Sequence, residues 1–502
     1  MIGILVFICC VLLLVGGYFL YGRLAEKVYG FDASAPAPSC TQKDGVDYVP
    51  LPVWKVFLIQ LLNIAGLGPV VGALSGCLFG PVALVWIVLG CVFAGALHDL
   101  LSALMSLENK GASLPELIGN TLGPAARYLM RILCIFLLLM VGVVFTQLPA
   151  GMLHGLVDGV SSFWWAVIIL VYYFLATALP ISALIGRIYP VFGAVFLFMA
   201  LGLTIMLPLS GHEVLPRLNA AEVMHPAGLS VWPMIFVTIA CGAISGFHAT
   251  QSPLMTRCLP EMRHARCVFY GAMIVEGLVA LVWATVGLTL RDVLTDYALV
   301  PDAATGKNVL QQLAEPEGIP FAALTMASPS MAINYACKFL LGPVGAFVAV
   351  LGVVILAITS GDTAMRSCRL MLADVLHLGQ RHIWMRLALS LPLFAVVLVL
   401  FRLEIGVIWR YFGWANQALA CFTLWSIAVH MKSRGRNPLL PLLPALFMTS
   451  MCTTFLLYAP ECGMCFSLSV STVVGILVST ACLLLFLLKR RRGQSNSPHG
   501  TL

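Results

Sequence analysis

"SGFHATQSP", residues 245–253, interrupts an apolar run that begins at Val231 and places polar side chains where a membrane helix is expected. A second interruption, "NIAGLGPVVG" at 63–72, breaks another apolar run. Glycine and proline kink many membrane helices, so a single break carries little information. Two polar breaks predict a cavity, because unwound backbone is tolerated at that depth only where it is buried or lines a binding site.

Composition places the chain in a membrane. Of 502 residues 61% are hydrophobic and only 10% are charged, and the mean hydropathy is +0.99. Such a chain is not a soluble globular protein. The apolar runs are long enough for helices that cross a bilayer, which takes about 20 residues, and they lack the alternation of barrel strands. The fold class predicted is an all-α, polytopic membrane protein.

The apolar runs predict about 13 transmembrane helices. The first run, 2–22, lacks a basic start and a cleavage site, so we interpret it as a retained helix and not a signal peptide. The other runs lie near 51–75, 81–107, 123–150, 162–181, 188–210, 231–256, 267–290, 333–360, 383–401, 405–430, 437–458 and 466–488.

Basic residues predict the orientation of these helices. With an odd number of spans, 18 Lys and Arg residues fall in one set of loops and the C-terminal tail, and four fall in the opposite loops. Because Lys and Arg accumulate on the cytoplasmic side, the N terminus is predicted outside and the C terminus in the cytoplasm. The net charge of +7 is therefore a topology signal and does not indicate nucleic-acid binding.

The spacing of the two breaks predicts an inverted repeat. Five spans separate the starts of the two broken helices, so these helices enter the membrane from opposite faces. The predicted organisation is a first helix and cytoplasmic loop (1–50), a ten-helix core (51–430) with repeats at 51–210 and 231–430, two further helices (431–488) and a basic, disordered tail (489–502). Two kinked helices packed through small residues are the alternative.

Several blocks of sequence resemble one known family. They are "IAGLGPVVG" at 64–72, "SGFHATQSPLMTRCLPE" from 245, "TSGDTAMRSCRLMLAD" at 359–374 and "WRYFGWANQALA" at 409–420, with "DGVDYVP" at 44–50. In this order they are similar to the carbon starvation protein A family, of which this chain resembles a short member. The resemblance implies a bacterial inner-membrane transporter with a five-plus-five inverted repeat that imports peptides, or pyruvate with protons, during carbon starvation.

The chain departs from that family before the first break. Longer members have two histidines where this chain has Gln60 and Leu61, and a small residue where Leu67 stands. The substrate therefore stays open between peptides, pyruvate and another small carboxylate.

Polar residues at the breaks predict the substrate site. Backbone N–H groups that follow each break suit a carboxylate, since helix N termini attract anions. His248 is the strongest candidate because imidazole both holds a carboxylate and titrates near neutral pH, although a structural hydrogen bond explains it almost as well. The predicted substrate-binding residues are Asn63, Gly66, Gly68, Ser245, His248, Thr250, Gln251, Ser252, Asn416 and Gln417.

Ionisable groups inside spans predict the coupling site. Such groups are costly in a membrane and are functional or paired. A proton would use His248, Asp99 or Glu276, and a sodium ion would use the hydroxyls of Thr359 and Ser360 with carbonyls near Ala65 and Gly66. Structural pairing of Asp99 and Glu276 remains an alternative. Asp362 is predicted at a helix end, as a gate or in a salt bridge with Arg366 or Arg369.

No enzymatic motif accompanies these residues. The chain lacks H-E-x-x-H, G-x-S-x-G and a P-loop, so we expect neither catalysis nor a cofactor nor a metal. Cys462-x-x-Cys465 is predicted to form a structural disulfide or to remain two idle thiols. The partners expected are a small-molecule substrate, a proton or sodium ion, and lipid. A nutrient sensor that binds but does not transport is the alternative function.

Overall fold

The computed structural model describes residues 2–488 apart from 44–47, 158, 179–180, 220–222, 302–307, 313–317, 380–381, 402, 404 and 461. The predicted disordered tail, 489–502, lies outside the described residues. The helices are α1 (Ile2–Phe19), α2 (Tyr21–Tyr29), α3 (Pro38–Thr41), α4 (Val53–Ile64), α5 (Ala73–Gly76), α6 (Val82–Gly90), α7 (Ala96–Glu108), α8 (Leu114–Leu122), α9 (Pro124–His154), α10 (Ser162–Ala178), α11 (Ile181–Leu209), α12 (Val231–Thr238), α13 (Gly246–Thr256), α14 (Gly271–Leu290), α15 (Phe321–Ala327), α16 (Pro329–Leu376), α17 (Ile383–Leu400), α18 (Ile405–Ser433), α19 (Leu439–Tyr458) and α20 (Leu468–Leu488).

The protein is a helical, multi-pass membrane protein, as predicted. Among the described residues, nine helices are long and apolar enough to cross a membrane, and the bent pair Val53–Ile64 and Gly68–Phe79 makes a tenth. The segments predicted to span at 162–181, 231–256 and 405–430 are helical or broken helices, but they do not meet the same length and hydropathy test. The count of 13 spans therefore stays a prediction.

The broken helices lie in the interior of the bundle. The helical stretches Val82–Glu108 and Met262–Leu290 are almost wholly buried, whereas α1 and α20 expose most of their apolar side chains at the periphery. In the interior, α13 packs against α4, α7 and α18, and α14 packs against α4. Every residue of α13 from Gly246 to Pro253 is buried. The stretch that the sequence marks as polar is thus enclosed by protein and separated from lipid.

A small β-hairpin stands in the long loop after α14. Strand β1 (Tyr297–Pro301) pairs antiparallel with β2 (Asn308–Gln312), so that Tyr297 lies opposite Gln312 and Pro301 opposite Asn308.

The extent of the longest helix shows that the position predicted for Asp362 is wrong. α16 runs for 48 residues, with a kink at Gly342, whose φ is +67°. Asp362 is therefore not at a helix end, since helical structure continues to Leu376. Its carboxylate is buried, and Oδ1 lies 3.8 Å from a guanidinium nitrogen of Arg366, which donates to the carbonyl of Ala176 at 2.7 Å. The buried pair holds α16 to α10.

All sixteen cysteines lie within the described residues, and none of them forms a disulfide. The Cys465 thiol lies 3.2 Å from the carbonyl oxygen of Pro460. Of the two alternatives predicted for Cys462 and Cys465, the structure shows two thiols and not a disulfide.

Candidate functional site

The first break follows from a short glycine-rich stretch. α4 ends at Ile64, and helical structure resumes at Gly68 with a bend of 52°. Pro69 contributes to the interruption because it has no N–H to donate. A Cβ on Gly68 would lie 2.0 Å from the Cβ of Cys241, in the second break. Glycine at this position therefore lets the two breaks touch.

The second break separates α12 from α13. Helical structure ends at Thr238 and resumes at Gly246, and Gly242 between them has a φ of +85°, a conformation that favours glycine. Ser245, in extended conformation, precedes α13 without capping it through its own side chain. A neighbouring helix supplies the cap instead.

Asn416 of α18 caps α13. Its Oδ1 accepts hydrogen bonds from the backbone N–H of Phe247 at 2.7 Å and from the hydroxyl of Ser245 at 3.1 Å, and its amide nitrogen lies 3.4 Å from the thiol sulfur of Cys241. An oxygen acceptor at this position satisfies a donor that the helix leaves unpaired. The predicted substrate ligand Asn416 thus holds the break together.

A cluster of four ionisable side chains lies beside the second break. His98, Asp99, His248 and Glu276 are all fully buried. One oxygen of Asp99 lies 2.8 Å from Nδ1 of His98, and the other lies 2.8 Å from Nδ1 of His248. Nε2 of His248 is 3.3 Å from Oε2 of Glu276, whose Oε1 accepts from the N–H of Gly242 at 3.0 Å. The three residues predicted for proton coupling therefore meet, joined by His98.

The polar residues after His248 bond mainly within α13. Thr250 donates to the carbonyl of Phe247 at 2.7 Å, Ser252 donates to the carbonyl of His248 at 3.0 Å, and the amide of Gln251 donates to the Thr250 hydroxyl at 2.8 Å. The hydroxyls are therefore used by the helix itself. Oε1 of Gln251, which is buried, has no hydrogen-bond partner among the described residues.

Gln60 is a second buried amide with unused hydrogen-bonding capacity. It lies one turn before Ile64 in α4, next to the predicted ligand Asn63, and neither its nitrogen nor its oxygen has a partner within the described part of the chain. Buried amides are normally paired. The sequence marks Gln60 only as a departure from the family pattern, so its role as a candidate ligand was missed. Gln417 instead donates to the carbonyl of Phe236 at 2.6 Å.

The backbone N–H groups expected to hold a carboxylate have partners. The N–H of Val71 donates to the carbonyl of Leu67 at 2.7 Å, and Asn416 accepts from that of Phe247. A turn and a neighbouring side chain satisfy these two donors, and carboxylate binding by the N–H groups around residues 68–70 and 251–252 stays a prediction.

The predicted sodium ligands contact the first break. The hydroxyls of Thr359 and Ser360, in α16, both donate to the carbonyl of Leu62 at 3.2 Å. A Cβ on Gly66 would lie 2.9 Å from Oγ of Ser360, and Ala65 beside it is buried. Thr359 and Ser360 thus contact the first break, and the hydroxyl of Thr359 also lies 3.0 Å from the carbonyl of Leu356.

A cavity of about 250 Å³ opens next to the breaks. Its lining includes Val71 and Thr238, one from each broken helix, with His225, Trp409 and Arg410. Burial, and then the nearby charges of Arg291 and Arg410, lower the pKa of His225 to about 4, so this imidazole is neutral at pH 7. The described lining of the cavity contains one permanent cation and no acidic side chain.

A charged cluster joins the C-terminal ends of α7 and α18. The carboxylate of Glu108 accepts from the Tyr29 hydroxyl at 3.0 Å, from His430 at 3.2 Å, from Arg434 at 2.9 Å and from Arg436 at 3.1 Å. These residues are far apart in the sequence, so no local pattern indicated the cluster. It connects α2, α7 and α18 at one end of the bundle.

Comparison with solved structures supports the fold. A crystal structure of the Eremococcus coleocola manganese transporter, solved as a point mutant, superposes with a TM-score of 0.50 over 88% of this chain and 97% of that one. The identity is 14%, so this likeness concerns the fold alone.

Sequence relatives cover much of the chain. A membrane protein of Haemophilus influenzae, of uncharacterised function, is 40% identical over 57% of this chain and 91% of its own length. The peptide transporter CstA of Bacillus subtilis is 27% identical over 80% of this chain and 81% of its own. The pyruvate/proton symporter BtsT of Escherichia coli is 28% identical over 53% of this chain and 45% of its own.

The family model for carbon starvation protein CstA matches residues 2–164 and 155–455. Its named relatives are transporters, which confirms that the chain is a membrane transport protein and not an enzyme. The chain belongs to the carbon starvation protein CstA family.

Proposed function

We propose that this protein is a secondary active transporter of small carboxylates, the class that includes pyruvate and the free C terminus of short peptides, and that it couples their import to protons. The observation that carries the proposal is the buried cluster of His98, Asp99, His248 and Glu276 beside a broken helix. Ionisable groups in this position mark ion pathways in transporters.

The substrate is proposed to bind between the two breaks. Unpaired amide atoms of Gln60 and Gln251 lie on the two broken helices and offer both donors and acceptors. The cavity of about 250 Å³ is lined by Val71 and Thr238, one from each broken helix, so both broken helices border space that a substrate can occupy. Carboxylate recognition is therefore proposed to rest on side chains, and Gly66 and Gly68 let Ser360 and Cys241 pack against the first break.

A proton is proposed as the coupling ion in preference to sodium. The contact between His248 Nε2 and Glu276 Oε2 brings together two atoms that can share one proton. The hydroxyls of Thr359 and Ser360 donate to the carbonyl of Leu62 and keep their oxygen lone pairs, so the preference for a proton rests on the contact between His248 and Glu276. Proton release and uptake at His248 would then accompany the opening of the cavity to alternate sides.

The architecture proposed for this cycle is the five-plus-five inverted repeat, with halves at 51–210 and 231–430, in 13 spans. The N terminus would lie outside and the basic C terminus in the cytoplasm of a bacterial inner membrane. The Glu108 cluster would then close the cytoplasmic end, and the 250 Å³ cavity would face outward.

Transport in proteoliposomes tests the proposal. Labelled pyruvate, a dipeptide and the same dipeptide with an amidated C terminus are supplied under an inward proton gradient, with and without sodium. We expect gradient-driven uptake of at least one carboxylate and none of the amide. Binding and counterflow without gradient-driven accumulation would contradict proton coupling, and binding without counterflow would identify a sensor. If no carboxylate is taken up under the proton gradient, with or without sodium, the proposed substrate class is wrong.

A further inference from the structure

We propose that Cys241, His248 and Glu276 form a binding site for a divalent transition-metal ion of the Zn²⁺ and Co²⁺ class. A thiol sulfur, an imidazole nitrogen and a carboxylate oxygen from these residues lie within 4.8 Å of one another, and all three side chains are buried. This set of donor atoms matches the ligands that zinc takes in proteins.

Two of the three donor atoms lack partners and face each other. Nε2 of His248 and Oε2 of Glu276 are 3.3 Å apart, and neither has a hydrogen-bond partner among the described residues. Nδ1 of His248 faces a carboxylate, which only accepts, so Nδ1 carries the ring proton and Nε2 of the neutral ring presents a lone pair. Two ligands about 2.1 Å from one tetrahedral ion are roughly 3.4 Å apart, which is close to the observed separation.

Each of the three ligand side chains also has a contact that holds it in position. Asp99 orients the imidazole of His248, the Gly242 N–H holds Oε1 of Glu276 at 3.0 Å, and the amide of Asn416 lies 3.4 Å from the sulfur of Cys241. Metal-binding histidines in proteins usually donate their second N–H to a carboxylate or carbonyl, and this orients the ligand for the ion. The supporting contacts therefore hold all three donors in position.

The chemistry of the donors restricts the ion. Magnesium and calcium prefer oxygen ligands, so a thiolate and an imidazole favour zinc, cobalt or a related ion. Three protein ligands leave a fourth tetrahedral position for water or an anion.

The site spans the second break. Cys241 precedes α13, His248 lies in its first turn, and Glu276 lies on α14, so one ion would cross-link the break and the helix after it to a neighbouring helix. The local sequence lacks a metal motif because these ligands come from separate elements, so residue spacing alone predicts no metal here. An ion at Nε2 and Oε2 would also exclude the proton proposed to bind there.

Cobalt binding tests the site on the full-length protein in detergent, prepared without a polyhistidine tag. Cells are grown with added Co²⁺ so that the buried site fills during synthesis, and the purified protein is analysed for metal content and absorption. We expect one cobalt per chain, with a near-ultraviolet thiolate-to-cobalt band and visible bands of tetrahedral intensity, all displaced by Zn²⁺.

Substitutions assign the ligands. Cys241→Ser should abolish the near-ultraviolet band, and Glu276→Gln should weaken binding. Cys77→Ser is the matched control, because Cys77 is an equally buried thiol whose sulfur lies between the carbonyls of Ala73 and Ala284. All variants are compared by size-exclusion chromatography and thermal unfolding.

Monodisperse wild-type protein without bound cobalt would overturn the proposal, and so would a thiolate band that survives Cys241→Ser. The spectrum does not depend on the transported substrate, so failure of the transport assay would leave this result standing. A failure to bind cobalt would likewise leave gradient-driven uptake unaffected.

Discussion

Nε2 of His248 lies 3.3 Å from Oε2 of Glu276, and both atoms are fully buried without another partner in the described part of the chain. Two lone pairs at this distance repel each other in a low-dielectric interior, so the contact is stable only when a proton or a metal ion lies between the atoms. The second break is thus linked to α14 by this contact and by the N–H of Gly242, which donates to Oε1 of Glu276 at 3.0 Å.

Glu276→Gln should separate coupling from transport. The amide keeps the shape and can donate to Nε2 of His248, but it cannot bind and release the shared proton. We expect substrate counterflow to continue while accumulation driven by an imposed proton gradient falls to the level of liposomes without protein. Glu261→Gln, at an exposed ion pair with Arg263, is the control and should leave accumulation unchanged. Full gradient-driven accumulation by Glu276→Gln would rule out this carboxylate as the coupling group.

Asp99→Asn should destabilise the protein more than His98→Gln. Asp99 accepts from two imidazoles, and each buried hydrogen bond to its carboxylate contributes about 1.5–3 kcal/mol, so Asp99→Asn weakens two such bonds whereas His98→Gln removes one. Thermal or denaturant unfolding in detergent measures the difference. Equal losses of unfolding free energy would show that Asp99 does not organise the cluster.

Gly68→Ala should disrupt the meeting of the two breaks. The added methyl would lie 2.0 Å from the Cβ of Cys241, closer than any real contact, so the backbone must shift. We expect a loss of roughly 1–3 kcal/mol in unfolding free energy, as for overpacked interiors, together with loss of transport. Gly16→Ala in α1, where a Cβ also meets nothing within 4 Å, should behave as wild type. Normal transport by Gly68→Ala would show that the observed contact is dispensable.

The double variant Thr359→Val, Ser360→Ala tests the choice of coupling ion. Two hydrogen bonds to Leu62 are lost, each contributing about 1 kcal/mol, so unfolding free energy should fall by about 2 kcal/mol. Uptake under a proton gradient should persist, and replacing sodium by potassium should not change it in either protein. Sodium stimulation of the wild type that disappears in the variant would instead assign sodium to these hydroxyls.

Much of the fold could be predicted because hydrophobicity and helix breakers act locally. The two breaks, the helices around them and the three ionisable residues inside spans were all evident from residue types. The continuation of α16 beyond Ser360 was not evident from residue types. This helix continues through charged residues that are paired in the protein interior, such as Asp362 and Arg366. A prediction from hydropathy ends a span at the first charged residues. The backbone hydrogen bonds of the helix continue past these residues.

The roles of the polar residues depended on their neighbours. Asn416 and Ser245 were predicted as ligands, yet they bond to each other, and Asn416 also bonds to Phe247 at the start of α13. Gln60 was not predicted as a candidate ligand, although its amide is buried and has no partner among the described residues. A sequence shows which side chains need partners, and the packing of distant helices decides which of them find one.

By itself, the sequence determined that this chain is a helical membrane protein of the CstA family with two interrupted helices, because the cost of exposing polar backbone to lipid is set locally. Only the tertiary structure decided that His98, Asp99, His248 and Glu276 form one buried cluster and that Cys241 stands beside it. Contacts between α7, α13 and α14 depend on how the breaks redirect the chain, and no spacing along the sequence encodes those directions.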